Sequence, residues 1–135
     1  MIKKVDHITI NAKDIHQTIH FYRDVLGFQS KSMRDFNDHR YYFFNIPGDL
    51  TLEVGEYDFE KQSSEESVTA KGRIRHIAFE VDDILKLQKV LIEAGYSFFM
   101  PIEFRESLGF TSGLVHDPNG IELEFLQYGD AFQSN

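Results

Sequence analysis

The chain has 135 residues, of which 41% are hydrophobic and 27% charged, so it can form one compact domain with an ordinary polar surface. Its formal net charge is -8 at pH 7 and it has no run of Lys and Arg, which argues against nucleic acid and anionic membranes as partners. The chain has no cysteine, so disulfides and thiolate sites are excluded and any metal ion must be bound by imidazole and carboxylate.

The segment before His7 lacks the long apolar stretch of a signal peptide. No other segment approaches the roughly 20 apolar residues of a membrane span. We therefore expect a cytoplasmic protein whose partner is a small-molecule substrate, and no membrane partner. The composition leaves the identity of that substrate open.

The first predicted element is a strand whose sequence occurs twice in the chain. Residues 6–15 resemble residues 75–84, and the two histidines within them, His7 and His76, are 69 positions apart. Further matches follow in the same order: Leu26–Phe28 with Ala94–Tyr96, and Leu52–Val54 with Leu123–Phe125. Several ordered matches at nearly one offset indicate a duplicated module.

In the first copy, alternating polar and apolar residues over 7–12 predict a half-buried strand with its histidine on the polar face. Asp14 suits a helix N-cap, and apolar residues then recur at helical spacing as far as Gly27, which suits a left-handed C-cap. Three shorter strands are predicted after the helix, and the clearest of them are 40–46 and 50–54.

The second copy has the same order of features. Alternation over 76–81 predicts a strand, Asp82 or Asp83 suits the N-cap, and Gly95 ends the helix. Strand candidates follow at 96–100, 109–116 and 121–127. We interpret the chain as one compact domain with these parts: a first βαβββ module (1–54), a polar linker (55–72), a second βαβββ module (73–128) and a flexible tail (129–135).

The repeat places a histidine in the first strand and a glutamate in the last strand of each copy. Two imidazoles and two carboxylates could bind Zn, Ni, Co, Mn or Fe(II) as a four-ligand site. The predicted ligands are His7, Glu53, His76 and Glu124. Glu122 is an alternative to Glu124 because residues two apart in a strand share a face, but the repeat aligns Glu124 with Glu53.

Three segments, residues 6–28, 75–83 and 117–125, resemble the vicinal oxygen chelate superfamily. This superfamily includes glyoxalase I, methylmalonyl-CoA epimerase, fosfomycin- and bleomycin-resistance proteins and extradiol dioxygenases. The resemblance implies an α+β fold in which two tandem βαβββ modules form a curved, mixed eight-stranded sheet, an open barrel-like cup with helices outside. It also implies a divalent metal at the junction of modules and a homodimer, with the site built within one chain or shared by two.

The pattern of two histidines and two glutamates is that of the glyoxalase I and epimerase branches. It implies a lyase or isomerase that chelates neighbouring substrate oxygens through the metal and moves a proton with Glu53 or Glu124. Two alternatives stay open: an extradiol-type dioxygenase or fosfomycin-type thiol transferase, and a non-catalytic protein that binds a toxin or antibiotic. A glutathione substrate would need arginines, for which the candidates are Arg23, Arg40, Arg73, Arg75 and Arg105.

Overall fold

The computed structural model describes residues 1–59, 67 and 69–133 of the chain. It contains two compact units, Met1–Ser64 and Glu65–Asn135, and each has one strand, one helical segment and three further strands in that order. The predicted α+β fold of two tandem βαβββ modules is confirmed, with the eight strands arranged as two four-stranded mixed sheets. No helix in the described ranges is long and apolar enough to cross a membrane.

The elements of the first unit follow one another without long connections. They are strand β1 (His7–Asn11), helix α1 (Ile15–Ile19), a π-helical segment (His20–Val25), and strands β2 (Gln29–Asp35), β3 (His39–Ile46) and β4 (Leu50–Tyr57). The strand order in the sheet is β1-β4-β3-β2; β1 is parallel to β4, and the other neighbours are antiparallel. The first and last strands of the module therefore lie side by side.

The helical segment of the first unit begins and ends as the sequence predicts. The carboxylate of Asp14 accepts a hydrogen bond from the backbone N–H of Gln17 at 3.0 Å, and Gly27 follows the segment with a φ of 80°. Its two aromatic residues, Phe21 and Tyr22, are fully buried and anchor the segment in the core. The change to π-helical geometry is not visible in the sequence, because both helix types place apolar residues three to five positions apart.

The second unit repeats this arrangement. It consists of strand β5 (Ile77–Glu80), helix α2 (Ile84–Glu93), and strands β6 (Met100–Arg105), β7 (Phe110–His116) and β8 (Glu122–Tyr128). The strand order β5-β8-β7-β6 matches that of the first sheet, and β5 is parallel to β8. Asp83 is the N-cap of α2 and accepts from the N–H of Lys86 at 3.0 Å. Leu91 and Leu123 are fully buried in the core of this unit.

The strand predicted at 96–100 is wrong, because β6 begins only at Met100. The N–H of Tyr96 donates to the carbonyl of Leu91 at 2.8 Å, and that of Gly95 donates to Ile92 at 3.0 Å. These bonds satisfy carbonyls in the last turn of α2, so the N–H groups of Gly95 and Tyr96 close the helix and are not available to a strand.

Parts of the predicted linker and of the predicted tail are structured. Strand β4 continues to Tyr57, inside the segment 55–72, of which residues 60–66 and 68 lie outside the described part of the chain. In the segment 129–135, the N–H of Ala131 donates to the hydroxyl of Thr111 at 2.9 Å. That hydroxyl donates in turn to the carbonyl of Gly129 at 2.8 Å, which attaches these residues to β7.

Candidate metal centre

The first module brings together the predicted ligands His7 and Glu53. Because β1 and β4 are parallel and Thr9 is the register partner of Glu53, His7 lies diagonally opposite Glu53 on the same face of the sheet. The distance from His7 Nε2 to Glu53 Oε2 is 3.1 Å. We call the face of this sheet that carries both side chains the site face.

Two neighbours hold this pair in place. The other ring nitrogen of His7, Nδ1, lies 2.8 Å from a carboxylate oxygen of Asp6, and this hydrogen bond raises the pKa of His7, with a further contribution from the charge of Glu53. The same hydrogen bond lowers the pKa of Asp6. The hydroxyl of Thr9 donates to Glu53 Oε2 at 2.6 Å. Both members of the pair therefore have a second partner that fixes their orientation.

The second module brings together His76 and Glu124, with 3.5 Å between His76 Nε2 and Glu124 Oε1. The register partner of Glu124 on β5 is Ala78, which has no hydroxyl to donate. Among the described residues, His76 Nδ1 has no hydrogen-bond partner although the atom is buried, and the same is true of Glu122 Oε2. This pair therefore lacks the supporting hydrogen bonds that surround the first pair.

The two pairs fit divalent metal binding in their chemistry and spacing. Two ligands of a tetrahedral zinc ion, each about 2.1 Å from the metal, are roughly 3.4 Å apart. The N–O distances of 3.1 and 3.5 Å are close to that value. Within the residues that the structure describes, no group of three or more His, Asp or Glu side chains forms a metal site. The two pairs are thus observed, and the four-ligand centre stays a prediction.

Aromatic side chains occupy the site face beyond Glu53. We call them the aromatic cluster: Phe36, His39, Tyr41, Tyr57 and Phe59. The rings of His39 and Tyr57 stack with centroids 4.9 Å apart, and the hydroxyls of Tyr41 and Tyr57 are 2.6 Å apart. The hydrogen bond between the two hydroxyls and burial raise the pKa of Tyr41, and the nearby charge of Glu53 adds to the effect. Exposed rings beside a candidate metal ligand could bind the apolar part of a small molecule.

Most of the arginines proposed for a glutathione substrate are engaged in ion pairs. Arg23 pairs with Asp24 at 2.8 Å and lowers the pKa of that carboxyl to about 2. Arg40 pairs with Glu56, and Arg105 with Glu103. The guanidinium groups of these three arginines are therefore already paired with carboxylates of their own module.

Two cations that the sequence did not single out lie instead on β2. Lys31 and Arg34, together with Ser32 and Phe43, line an open cavity of about 280 Å³. Alternating polar and apolar residues could have identified β2 as a strand and thereby placed Lys31 and Arg34. All seven residues of β2 are exposed, however, and its sequence shows no such alternation.

Comparison with known proteins agrees with this architecture. The sequence model of the glyoxalase/bleomycin resistance protein/dioxygenase superfamily matches residues 4–125. The chain belongs to this superfamily. The resemblance predicted from the sequence is therefore confirmed, and the match covers both modules.

The proteins that this chain resembles carry different functional descriptions. The chain is 36% identical to the uncharacterized protein YaeR of Escherichia coli, over 93% of this chain and 97% of that one. The structure of TnmS3, an antibiotic-binding protein from Streptomyces, superposes with a TM-score of 0.71 at 18% identity, covering 95% and 98% of the two chains. The trypanothione-dependent glyoxalase I of Leishmania major superposes with a TM-score of 0.70 at 23% identity, covering 93% and 87%. The two structural likenesses show the fold alone.

Proposed function

We propose that this protein is a metal-dependent, glyoxalase-like lyase or isomerase that acts on a small molecule with two neighbouring oxygen atoms. Its metal ligands would be His7, Glu53, His76 and Glu124. The observation that carries the proposal is the occurrence, in each module, of a His–Glu pair with the N–O separation of two ligands on one metal. The donor set of two imidazoles and two carboxylates suits Zn, Ni, Co, Mn or Fe(II).

When bound, the metal would supply Lewis-acid chemistry by polarising the two neighbouring oxygens of the substrate. The protein must then remove a proton from the carbon beside the carbonyl and return it to the adjacent position, which is general acid–base work for a carboxylate. Two carboxylates, Glu53 and Glu124, are available for this step.

We assign the proton transfer to Glu124. The hydroxyl of Thr9 holds one oxygen of Glu53 at 2.6 Å, whereas Ala78 occupies the matching position beside Glu124. A carboxylate that shuttles a proton between two carbons must reorient during the reaction, and Glu124 has fewer restraints against that movement. Its side chain is only 16% exposed, so water has limited access to the proton during transfer.

A second candidate function is the binding of a toxin or antibiotic without catalysis. The aromatic cluster favours it, because flat organic ligands stack on exposed rings, and the structurally similar TnmS3 is an antibiotic-binding protein. This function requires no metal. An extradiol-type dioxygenase or a fosfomycin-type thiol transferase is less well supported, because those branches use one glutamate and here both glutamates lie beside a histidine.

Elemental analysis of the full-length protein, followed by exchange assays, tests the proposal. We expect one divalent metal ion per chain, removable by a chelator. We also expect metal-dependent proton–deuterium exchange beside the carbonyl of hemithioacetals or 2-oxo thioesters. Oxygen uptake with catechols in place of exchange would identify a dioxygenase. A protein that purifies without metal and does not acquire it from solution would be a binding protein.

We also propose a cytoplasmic homodimer, on the basis of the cysteine-free, acidic sequence and the superfamily resemblance. Sedimentation of the purified protein should give twice the chain mass of 15.7 kDa. A monomer at micromolar concentration would contradict this part of the proposal.

A further inference from the structure

We propose that the first module contains an anion-binding subsite, formed by Lys31 and Arg34 of β2, which binds a carboxylate or phosphoryl group of the substrate beside the pair of His7 and Glu53. This inference rests on the proposed function, since it defines the substrate class of the same site. It deepens that function by specifying an anionic organic molecule as the substrate of an acidic protein.

Lys31 reaches the site face because of an irregularity in β2. The register between β2 and β3 shifts between Ser30 and Ser32, so Lys31 is an extra residue at a bulge. Its side chain crosses β3, and the ammonium nitrogen lies 3.4 Å from the hydroxyl of Thr51 on β4. Thr51 is the register partner of His7. The ammonium group of Lys31 therefore lies next to Thr51, which is paired with the proposed metal ligand His7.

Arg34 lies on the same side of β2, one pleat repeat beyond Ser32. Ser32 is the register partner of Phe43, and Phe43 is the register partner of Glu53. These residues form one row across the sheet, in which side chains of neighbouring strands are in contact. Arg34 and Lys31 flank the outer end of this row and line the same cavity. The subsite thus adjoins Glu53 with one phenylalanine between them.

The charge environment of the two cations favours an anion. Among the described residues neither Lys31 nor Arg34 forms an ion pair with a carboxylate, whereas Lys4, Arg23 and Arg40 do. Two like charges that line one cavity repel each other, and an anion between them removes that cost. A carboxylate or phosphoryl group can accept from the planar guanidinium with two oxygens and from the ammonium with another.

The cavity is open to solvent, and its volume of about 280 Å³ has room for one end group of a substrate while the rest of the molecule extends outside it. Phe43, half-buried between the cations and Glu53, offers apolar contact to the part of the molecule that joins the anionic group to the reacting oxygens.

The test is a binding titration on the full-length protein with probes that differ in charge. Benzoate and phenylphosphonate carry the anionic group on an aromatic ring, benzamide is the neutral counterpart, and inorganic phosphate is the anion alone. The variant is Lys31→Gln with Arg34→Gln. The control is Lys86→Gln with Lys89→Gln, two exposed residues of α2, which changes the net charge equally. Metal content and melting temperature are measured on every sample.

We expect saturable binding of benzoate and phenylphosphonate, weakened about tenfold or more in the β2 double variant and unchanged in the α2 control. Raising the salt concentration should weaken this binding, because the cations are exposed. Equal binding of benzamide, undiminished binding in the β2 variant, or saturation by inorganic phosphate only would overturn the proposal. Metal content should be the same in the β2 variant and the wild type. A wild-type protein that binds benzoate but no metal would contradict the proposed function alone.

Discussion

In the first module the His–Glu pair is surrounded by hydrogen-bonding side chains, whereas the pair in the second module is not. Asp6 lies 2.8 Å from the ring of His7, while the residue before His76 is the exposed Arg75. The hydroxyl of Thr9 donates to its glutamate, while Ala78 stands at the matching position. The duplication has kept the two candidate ligands of each module and changed the residues that support them.

Under the proposed function, this difference would assign metal binding and proton transfer to different modules, whereas a symmetric site would combine the two. A histidine and a carboxylate with fixed orientations hold a metal in place, because their supporting hydrogen bonds are made before the metal arrives. A carboxylate with fewer bonds can change partners during a reaction. We therefore expect the first module to contribute more to metal affinity and the second to contribute the reacting carboxylate.

The largest expected effect comes from removing either histidine. His7→Ala and His76→Ala should each lose most of the bound metal, because each removes one of the four proposed ligands. His16→Ala, on the exposed side of α1, is the control and should retain the metal. Metal per chain after gel filtration, with circular dichroism to confirm folding, provides the measurement. Full metal content in one of the two ligand variants would show that the modules do not share one site.

The next effect concerns the two glutamates. Glu124→Gln should keep the fold and lower the rate of proton exchange by roughly 10²–10⁴-fold, since an amide cannot accept the proton. Glu53→Gln should lower metal content more and the exchange rate of the remaining loaded protein less. Glu122→Gln is the matched control on the same strand face and should be nearly silent. If Glu122→Gln removes the metal and Glu124→Gln does not, the assignment of the glutamate is wrong by two positions.

The supporting carboxylate of the first module gives a smaller effect. Asp6→Ala should weaken metal affinity by about 10–100-fold, because the ring of His7 loses the hydrogen bond that orients it. Arg75→Ala, at the equivalent position of the second module, should leave affinity unchanged. Competition with a chelator of known affinity measures both variants. Equal effects at the two positions would mean that the modules hold their histidines in the same way.

The smallest expected effect is on stability and concerns the packing around two glycines that lie in strands. A Cβ at Gly113 would lie 2.8 Å from Ile102 and 3.0 Å from the backbone oxygen of Met100, so Gly113→Ala should lower the free energy of unfolding by about 1–3 kcal/mol. Gly55→Ala should cost less, because its nearest atom, at 2.8 Å, belongs to the side chain of Asn11, which can move. Urea denaturation gives both values, and a larger loss at Gly55 would contradict this reading of the site face.

The features that could be predicted from the sequence are those with a local physical cause. The N-caps at Asp14 and Asp83 and the C-cap glycines each depend on one side chain and its own backbone. The His–Glu pairs could be predicted as well, although they are distant in sequence, because the duplication repeats them. The family followed from the same motifs.

The remaining features depend on contacts that no pattern encodes. The seven exposed residues of β2 give no alternation, so the strand and its cations, Lys31 and Arg34, could not be placed. The segment 96–100 is predicted to be a strand, but the N–H of Tyr96 donates to the end of α2 and β6 begins only at Met100. The contrast between Thr9 and Ala78 became meaningful only when the register placed each beside a glutamate.

The parallel pairing of β1 with β4 has a consequence for the order of events during synthesis. His7 leaves the ribosome long before Glu53, because Thr9 and the carboxylate that it binds are 44 residues apart in the sequence. Closing so long a loop is slow compared with forming a helix, because its entropy is lost before the contact is made. A nascent chain can therefore expose an isolated histidine but cannot capture a metal ion tightly until the last strand of the module has been added. Uptake of a metal by the four proposed ligands would then report that both modules have finished folding.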